Sequence, residues 1–369
     1  MEGIKIMEQK LTMKVPAEKL KRIAEVTLQG MGLSPEDASL GAAVLNSADI
    51  RGMDTHGLSR LAFYARSLKA GSLVPNAELT TITESACTLA LDANNGVGIV
   101  AAPKAMVRTI EKAKEAGVCV TTVRNSAHFG IGAHYAMMAA KENLISFVFS
   151  DSGLVMVPFG GKKNLLGNSP WCICFPGGNK HPDPLMVDMA CSEAAFGKLE
   201  VAKRNGKQIP LTWGVDVDGV PTNDIDAIFK SRGLLPFGGH KGYCIAVMWE
   251  MLTAILGGAG FGDYKGQGKN DGSPEHIGHV FIVIDPSKLQ PLDTFKDDID
   301  AYVEYLKACP PAKGVNEVFL PGEIETRTTK RRLEEGVDFN IKLANELLEM
   351  LKGYNMLPQD AVLDDMFEI

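Results

Sequence analysis

The sequence predicts an α/β protein that opens with a mainly helical segment. Three observations carry this. Residues 117–149 alternate strand, helix, strand, the pattern of an α/β layer. Residues 14–70 place apolar side chains at helical spacing. From Ala77 the pattern changes to short β-like runs, with Pro75-Asn76 at the boundary.

In order, Leu20, Ile23, Ala24 and Thr27-Leu28 recur on one helical face after Pro16. A second helix opens at Ser34-Pro35-Glu36-Asp37, with Ser34 as N-cap, Pro35 at the first helical position and Asp37 at capping-box spacing, and runs to about Ile50. Arg51-Gly52-Met53-Asp54-Thr55-His56-Gly57 is then a polar turn ahead of another periodic stretch, Leu58 to Leu68. Leu79 to Ile82 and Cys87 to Leu91 read as strands, and Ile99 to Ala116 as a helix that stops at Gly117. The strand Val118 to Val123, a helix from Ala133 to Asn143 and the strand Leu144 to Phe149 follow.

Residues 151–191 are loop-rich, with strands at Trp171 to Phe175 and Leu185 to Asp188. A helix is expected from Ser192, broken by Gly206 and Pro210, and residues 211–237 look irregular. Gly238-Gly239-His240-Lys241-Gly242 opens the most apolar helix, which runs to about Leu256. Being apolar nearly all round, it is expected at the domain centre. Gly257 to Ser273 reads as a mobile Gly-rich loop, and Val280 to Ile284 as a strand. Helices are expected at about Thr294 to Cys309 and Thr328 to Tyr354, the latter interrupted near Gly336.

At 369 residues the chain has room for two or three domains. Its 45% hydrophobic and 22% charged residues are ordinary for a globular protein. A net charge of −7 without a Lys/Arg run argues against a nucleic-acid surface. The N-terminus lacks the apolar core of a signal peptide, and Cys244 to Leu256 is too short to span a bilayer, so no membrane partner is expected and a cytoplasmic location is the default. Cysteines number seven; Cys87, Cys119, Cys191 and Cys244 fall in apolar patterns that suit buried reduced thiols. Alternation puts Cys172 and Cys174 on one strand face, and no second Cys/His pair follows at zinc-like spacing. His134 falls off its helical face, and His181, His276 and His279 lack ligand-like spacing, so no metal is expected.

The chemistry is expected at Asn125-Ser126-Ala127-His128-Phe129-Gly130-Ile131-Gly132. A histidine at this strand-to-helix junction stands beside helix N–H groups that lack intrahelical partners, and imidazole exchanges a proton near neutral pH. Arg51 and His56 share the other polar turn. An arginine grips a carboxylate with two parallel hydrogen bonds, so the pair would suit a 2-oxo or 2-hydroxy acid, although a lone loop histidine is commonly a hydrogen-bonded surface residue. Gly238 to Gly242, with Lys241 at a helix N-terminus, would suit a phosphate, or be a flexible turn with a solvated lysine. Gly96-Val97-Gly98-Ile99-Val100-Ala101 matches the G-x-G-x-x-A dinucleotide pattern. A simple glycine turn before a helix competes with it, because Asn94-Asn95 lengthens the turn and Glu115 lies inside the helix. Asp188, at a strand end, could accept from ribose hydroxyls or cap a helix.

Taken with Val157-Pro158-Phe159-Gly160-Gly161, Gly167-Asn168-Ser169-Pro170 and Leu320-Pro321-Gly322-Glu323, these motifs come in an order and spacing that resembles the type II malate/L-lactate dehydrogenase family. That family includes sulfolactate and ureidoglycolate dehydrogenases and the diketogulonate and piperideine-2-carboxylate reductases. The resemblance covers about residues 14–350. It implies an NAD- or NADP-dependent oxidoreductase whose nucleotide fold is a mixed sheet rather than a Rossmann fold. It also implies a homodimer with active sites near the subunit interface. Residues 14–75, joined by C-terminal helices at about 325–369, would form a helical substrate and dimer domain; residues 76–324 would form the α/β NAD(P)-binding domain. By position, His128 would be the general acid/base, with His56 holding that role in other members. Arg51 would bind the substrate carboxylate beside Thr55, where the family often has Ser. Ser152, Asp188, Met189, Ala190, Lys241, Pro321, Gly322 and Glu323 would contact the cofactor. The turn at Gly167 carries one residue more than the family pattern and is not assigned a contact.

The expected reaction is hydride transfer between a nicotinamide and C2 of a small 2-oxo/2-hydroxy acid of the malate, lactate or sulfolactate type. Reduction of cyclic imino acids or diketo sugar acids, and ureidoglycolate oxidation, are the alternatives within the class. A non-catalytic nucleotide binder is the alternative outside it.

Overall fold

A computed structural model describes residues 12–266, 269 and 271–369. The chain divides into two compact units: residues 1–62 with 325–369, and residues 63–324.

In chain order the elements begin with β1 (Thr12–Val15), α1 (Ala17–Gly30) and α2 (Pro35–Ile50). Ser34 caps α2 as its sequence predicts, its Oγ accepting from the Asp37 N–H at 3.2 Å. Next come α3 (Leu61–Ala70), β2 (Thr80–Glu84), β3 (Thr88–Asp92), α4 (Gly98–Ala116), β4 (Val118–Ser126), α5 (Gly132–Ala140) and β5 (Ile145–Ser150). Gly117 ends α4 in the left-handed region, at φ 86°, where a side chain would be strained. Then β6 (Trp171–Phe175), β7 (Leu185–Met189), α6 (Phe196–Arg204), β8 (Gly214–Val215), α7 (Ile225–Ser231), β9 (Gly233–Leu234) and α8 (His240–Glu250). A π-helical turn, Met251–Leu256, extends α8. The chain closes with β10 (Ile277–Ile284), α9 (Leu292–Lys307), α10 (Glu323–Glu335), β11 (Val337–Asn340), α11 (Ile341–Gly353) and α12 (Leu363–Met366).

In the first unit, α1 buries Leu20, Ile23, Ala24 and Leu28, the stripe read from spacing, and packs on α2 and α11. The supposed interruption of one long C-terminal helix near Gly336 is a strand instead. Val337 and Phe339 alternate inward, and β11 pairs antiparallel with β1, Val15 opposite Val337. A period-two stretch after a glycine leaves the helical ladder for an available edge.

The second unit is built on a seven-stranded mixed sheet in the order β2-β3-β4-β10-β5-β6-β7. Only β3 and β4, joined through α4, run parallel. This is not a doubly wound Rossmann sheet, in which most strands are parallel. The apolar run of β10 fits its central place, buried on both faces. Cys172 and Cys174 point inward from β6, as their alternation predicts.

Three expectations are corrected here. α6 begins at Phe196, not Ser192, because Ser192 is held in an antiparallel bridge with Pro236 and Glu193 N–H donates to Leu235 O at 2.8 Å. α8 is not wholly buried. One stripe (Gly242, Ala246, Glu250) faces the core while Cys244, Met248 and Met251 face outward, Met248 with 54% exposure. A helix apolar all round can be buried on every side; here Ala246, with Tyr243, Ile245, Val247 and Trp249 beside it, packs on the cluster of Met156, Leu166 and Cys191, while Cys244 and Met248 stay exposed. Cys87, in the turn between β2 and β3, is likewise exposed. Within the Gly-rich loop, Lys265 is buried, its Nζ 2.6 Å from Asp151 Oδ1 and 2.5 Å from Glu250 Oε1.

Candidate active site

Arg51, Thr55 and His56 share one turn of the first unit. α2 ends at Ile50, and two short 3-10 turns, Asp54–His56 and Leu58–Arg60, follow. Asp49, buried in the last turn of α2, accepts from the Leu58 N–H at 2.9 Å. A Cβ on Gly57 would stand 1.9 Å from that carboxylate, so a side chain there would have to displace it. Burial pushes the Asp49 carboxyl up to about 7; Asp54 pushes the same way, while the Leu58 N–H and Arg332 oppose. Arg332, from α10, donates to the Asp49 carbonyl and to Asp54 Oδ1, tying the turn down. His56 Nδ1 lies 2.9 Å from Thr55 Oγ1. Burial, then the charge of Arg60, lowers the His56 pKa to about 4, so its ring is neutral at ordinary pH. Arg51 is 5% exposed. Arg60 is half-buried, its Nε donating to Thr55 O at 2.7 Å.

His128 follows β4 in the second unit. Asn125, at φ 50°, turns the chain and is held by Asp92, to which its Nδ2 donates at 3.1 and 3.0 Å, and by His276 Nδ1 at 3.0 Å. His128 is half-buried. Its Nδ1 is 2.8 Å from the hydroxyl of Tyr64, a fully buried residue of α3, and 3.4 Å from the donating Gly130 N–H. With Gly130 N–H donating, Nδ1 accepts and Nε2 carries a proton; the Tyr64 hydroxyl, which also lies 3.3 Å from His128 O, can bond Nδ1 in either tautomer.

Gly98, in the G-x-G-x-x-A stretch, has a structural task. A Cβ there would lie 2.1 Å from Ala127 O and 2.4 Å from His128 O. The glycine lets the start of α4 pack directly beneath the histidine loop.

The remaining residues of the predicted site are joined by short bonds. Asp188, on the edge strand β7, accepts from the Ala133 N–H at 2.8 Å, capping α5 immediately after the histidine loop. Asp188 thus caps not the helix that follows it in the chain but one 55 positions earlier. Ser152 Oγ donates to Asn168 Oδ1 at 2.6 Å and accepts from Asn168 N–H at 2.9 Å. Asn168 O accepts from Cys191 N–H at 2.7 Å, directly after Met189 and Ala190, and Cys191 O accepts from Phe237 N–H at 2.9 Å. Phe237 leads into Gly238 and Gly239, at φ 56° and 66°, and so to Lys241 in the first turn of α8. Ser152, Asp188 to Ala190 and Lys241 are thus one neighbourhood. On the outer side of β7, Pro321 O accepts from Met186 N–H at 3.1 Å and Gly322 packs on Met186. Glu323 is ion-paired with Lys307 at 2.7 Å and accepts from Leu320 N–H at 2.8 Å.

Tyr64 and Asp49 were not singled out by sequence, and Asn168 lies in the turn to which no contact was assigned. Tyr64 lay inside a periodic helix, where its only signal was that a buried tyrosine hydroxyl needs a partner. His134, expected to be structural, packs edge-on to Tyr135, and burial lowers its pKa to about 4. Among the described residues no His/Cys/Asp/Glu group is placed to hold a metal, and no helix is long and apolar enough to cross a membrane.

The start of α8 has no side-chain cap, and the exposed His240 and Lys241 flank it. Gly238 N–H donates to Glu193 Oε2 at 3.3 Å, and Gly239, Gly242 and Tyr243 N–H to the Pro236, Phe237 and Gly239 carbonyls, so the donors that would meet a dinucleotide phosphate are the His240 and Lys241 N–H groups and the Lys241 ammonium. His128 stands in the same unit, and an oxidoreductase that takes its redox chemistry from a bound nucleotide needs a group of that type to exchange a proton. The family model for malate/L-lactate dehydrogenase matches residues 15–348, and the chain belongs to that family of oxidoreductases. It is 36% identical over 350 residues to the L-sulfolactate dehydrogenase of Methanocaldococcus jannaschii, covering 94% of this chain and 98% of that one. The solved structure of sulfolactate dehydrogenase from that organism superimposes with a TM-score of 0.87 at 35% identity, over 96% of this chain and 99% of the other. The malate dehydrogenase of Pyrococcus horikoshii is 33% identical over 346 residues, covering 92% and 95%. The ureidoglycolate dehydrogenase (NAD(+)) of Escherichia coli K12 is 32% identical over 327 residues, covering 88% and 92%.

Proposed function

We propose that this protein reversibly transfers hydride between NAD or NADP and C2 of a small 2-oxo/2-hydroxy acid of the malate, lactate or sulfolactate type. The observation that carries the proton chemistry is the His128 ring, anchored through Nδ1 by Tyr64 and Gly130 at the strand-to-helix junction. The nicotinamide supplies or accepts the hydride when bound. Ser152, Asp188 to Ala190, Lys241 and Pro321 to Glu323 would hold the dinucleotide, with the Lys241 ammonium and the His240 and Lys241 N–H groups toward its phosphates. His128 gives its proton to the substrate oxygen during reduction and takes it back during oxidation. His56, neutral down to about pH 4, serves as a neutral hydrogen-bonding group for the acid beside Thr55.

Arg51 is assigned to the substrate carboxylate. Its burial favours a second reading, in which the less buried Arg60 makes that contact. The Lys variants separate the two, since lysine cannot reproduce the two-bonded grip: the one that raises KM for the acid with kcat and cofactor affinity unchanged identifies the carboxylate ligand. The protein is further proposed to act as a cytoplasmic homodimer, which light scattering checks for the oligomer.

The deciding experiment is a panel of 2-oxo acids, a cyclic imino acid, a diketo sugar acid and, in the oxidative direction, ureidoglycolate, each with both cofactors. His128→Ala should lower turnover of the best substrate by roughly 10²–10⁴. Near-normal turnover would move the proton role to His56. Cofactor binding with no turnover of any member of the panel would mark a nucleotide binder.

A further inference from the structure

His279 stands near the start of β10, where the sheet's central strand lies between the ends of β4 and β5. Those ends lead into the loops that carry His128 and Ser152. The His279 side chain is fully buried, and both ring nitrogens are engaged: Nε2 lies 2.8 Å from Ser126 Oγ and Nδ1 lies 2.9 Å from Ser150 Oγ. The ring also stacks on Phe129, next to His128, at 4.7 Å between centroids and 9° between planes. Opposite β10, β4 carries one extra residue between Val123 and Ser126, with Asn125 at φ 50°. Such a bulge re-aims a side chain, and here Ser126 reaches the imidazole.

In the tautomer with Nδ1 protonated, Ser150 Oγ, which donates to Asp151 O at 2.9 Å, accepts from Nδ1, and Nε2 accepts from Ser126; in the other tautomer the same two serines stay bonded with the directions reversed. Burial holds the His279 pKa down at about 3, against the pull of the Ala127 and Gly278 carbonyls, so the ring stays neutral. A neutral, rigid ring bonded to both strand ends is more than apolar filling, which phenylalanine would supply at lower desolvation cost.

We propose that His279 is a positioning residue that locks the proton-donor loop and the cofactor loop in register, through Ser126 on one side and Ser150 on the other. This rests on the roles proposed above for His128 and Ser152. The two serines predict a division of labour that a merely stabilising histidine would not produce.

The test measures kcat, dinucleotide affinity by fluorescence titration, and Tm on the full chain. Ser126→Ala should lower kcat about tenfold with dinucleotide Kd within about twofold, and Ser150→Ala should do the reverse. His279→Phe, which keeps the stacking, should impair both, and His279→Gln, which can donate and accept, should restore much of both. If the Phe variant does not fold, the serine pair and the Gln variant decide. Equal effects of both serine variants on the same parameter, or loss of Tm alone with kcat and Kd within about twofold throughout, would overturn the proposal. His128→Ala is run alongside: if it keeps turnover, the underlying functional reading has failed, whereas a dead His128→Ala with unaffected Ser126 and His279 variants rejects only the positioning role.

Discussion

Replacing Gly98 by alanine tests the packing beneath the histidine loop and the competing dinucleotide reading of the same glycine. The added Cβ would stand 2.1 Å from Ala127 O and 2.4 Å from His128 O, where real Cβ contacts do not fall below 3.0 Å. The start of α4 and the loop must therefore part by about 0.9 Å. Both obstructing atoms are backbone, so no rotamer change relieves the clash. The loop is anchored upstream through Asn125 and downstream by the Asp188 cap on α5, so the displacement concentrates on residues 127–130. Overpacking of this kind costs about 1–3 kcal/mol of stability. A reacting group misplaced by about 1 Å costs roughly 10²-fold in rate. The expected result is a lower Tm and a kcat reduced by roughly 10², with dinucleotide affinity nearly unchanged. Wild-type kcat and Tm would refute the packing argument. Normal kcat with a large loss of dinucleotide affinity would show instead that residues 96–101 form the phosphate loop.

Lys241→Ala should weaken dinucleotide binding more than it raises KM for the acid, and the difference from wild type should shrink with added salt, because Lys241 is exposed and its charge is screened; an effect on the acid alone would remove it from the cofactor site. Asp49→Asn tests the buried carboxyl under the His56 turn. Below about pH 4 the Asp49 carboxyl is protonated in both folded and unfolded states, whereas between about 4 and 7 only the unfolded chain ionises, so its contribution to stability declines as pH rises. The variant should therefore gain on wild type across that window, by on the order of 1.4 kcal/mol per pH unit, and match it near pH 4. A Tm difference independent of pH would contradict the raised pKa.

The helices and strands around the site were legible because each carries its own period. Val118 to Val123 alternates with buried Cys119 and Val123, and Ile99 to Ala116 ends at a glycine that only a left-handed turn requires. The readings that failed lacked an unambiguous local signal. Nothing near Cys244 in the chain says which side of α8 is covered, and the few residues after Gly336 are too short to oppose a helical reading until β1 offers an edge.

The sequence by itself determined the α/β class, the ordered set of polar turns and the position of His128 at a strand-to-helix junction, since these depend on neighbours within a few residues. Only the tertiary structure decided what each group is for. It placed Tyr64, 64 positions from His128, on the ring nitrogen, and turned Asp188 into the cap of α5. It made Gly98 a packing necessity and drew Ser126, Ser150 and His279 together from three strands. Hydrogen-bond partners and steric limits at these distances depend on strand order and register, which no local pattern of residues encodes.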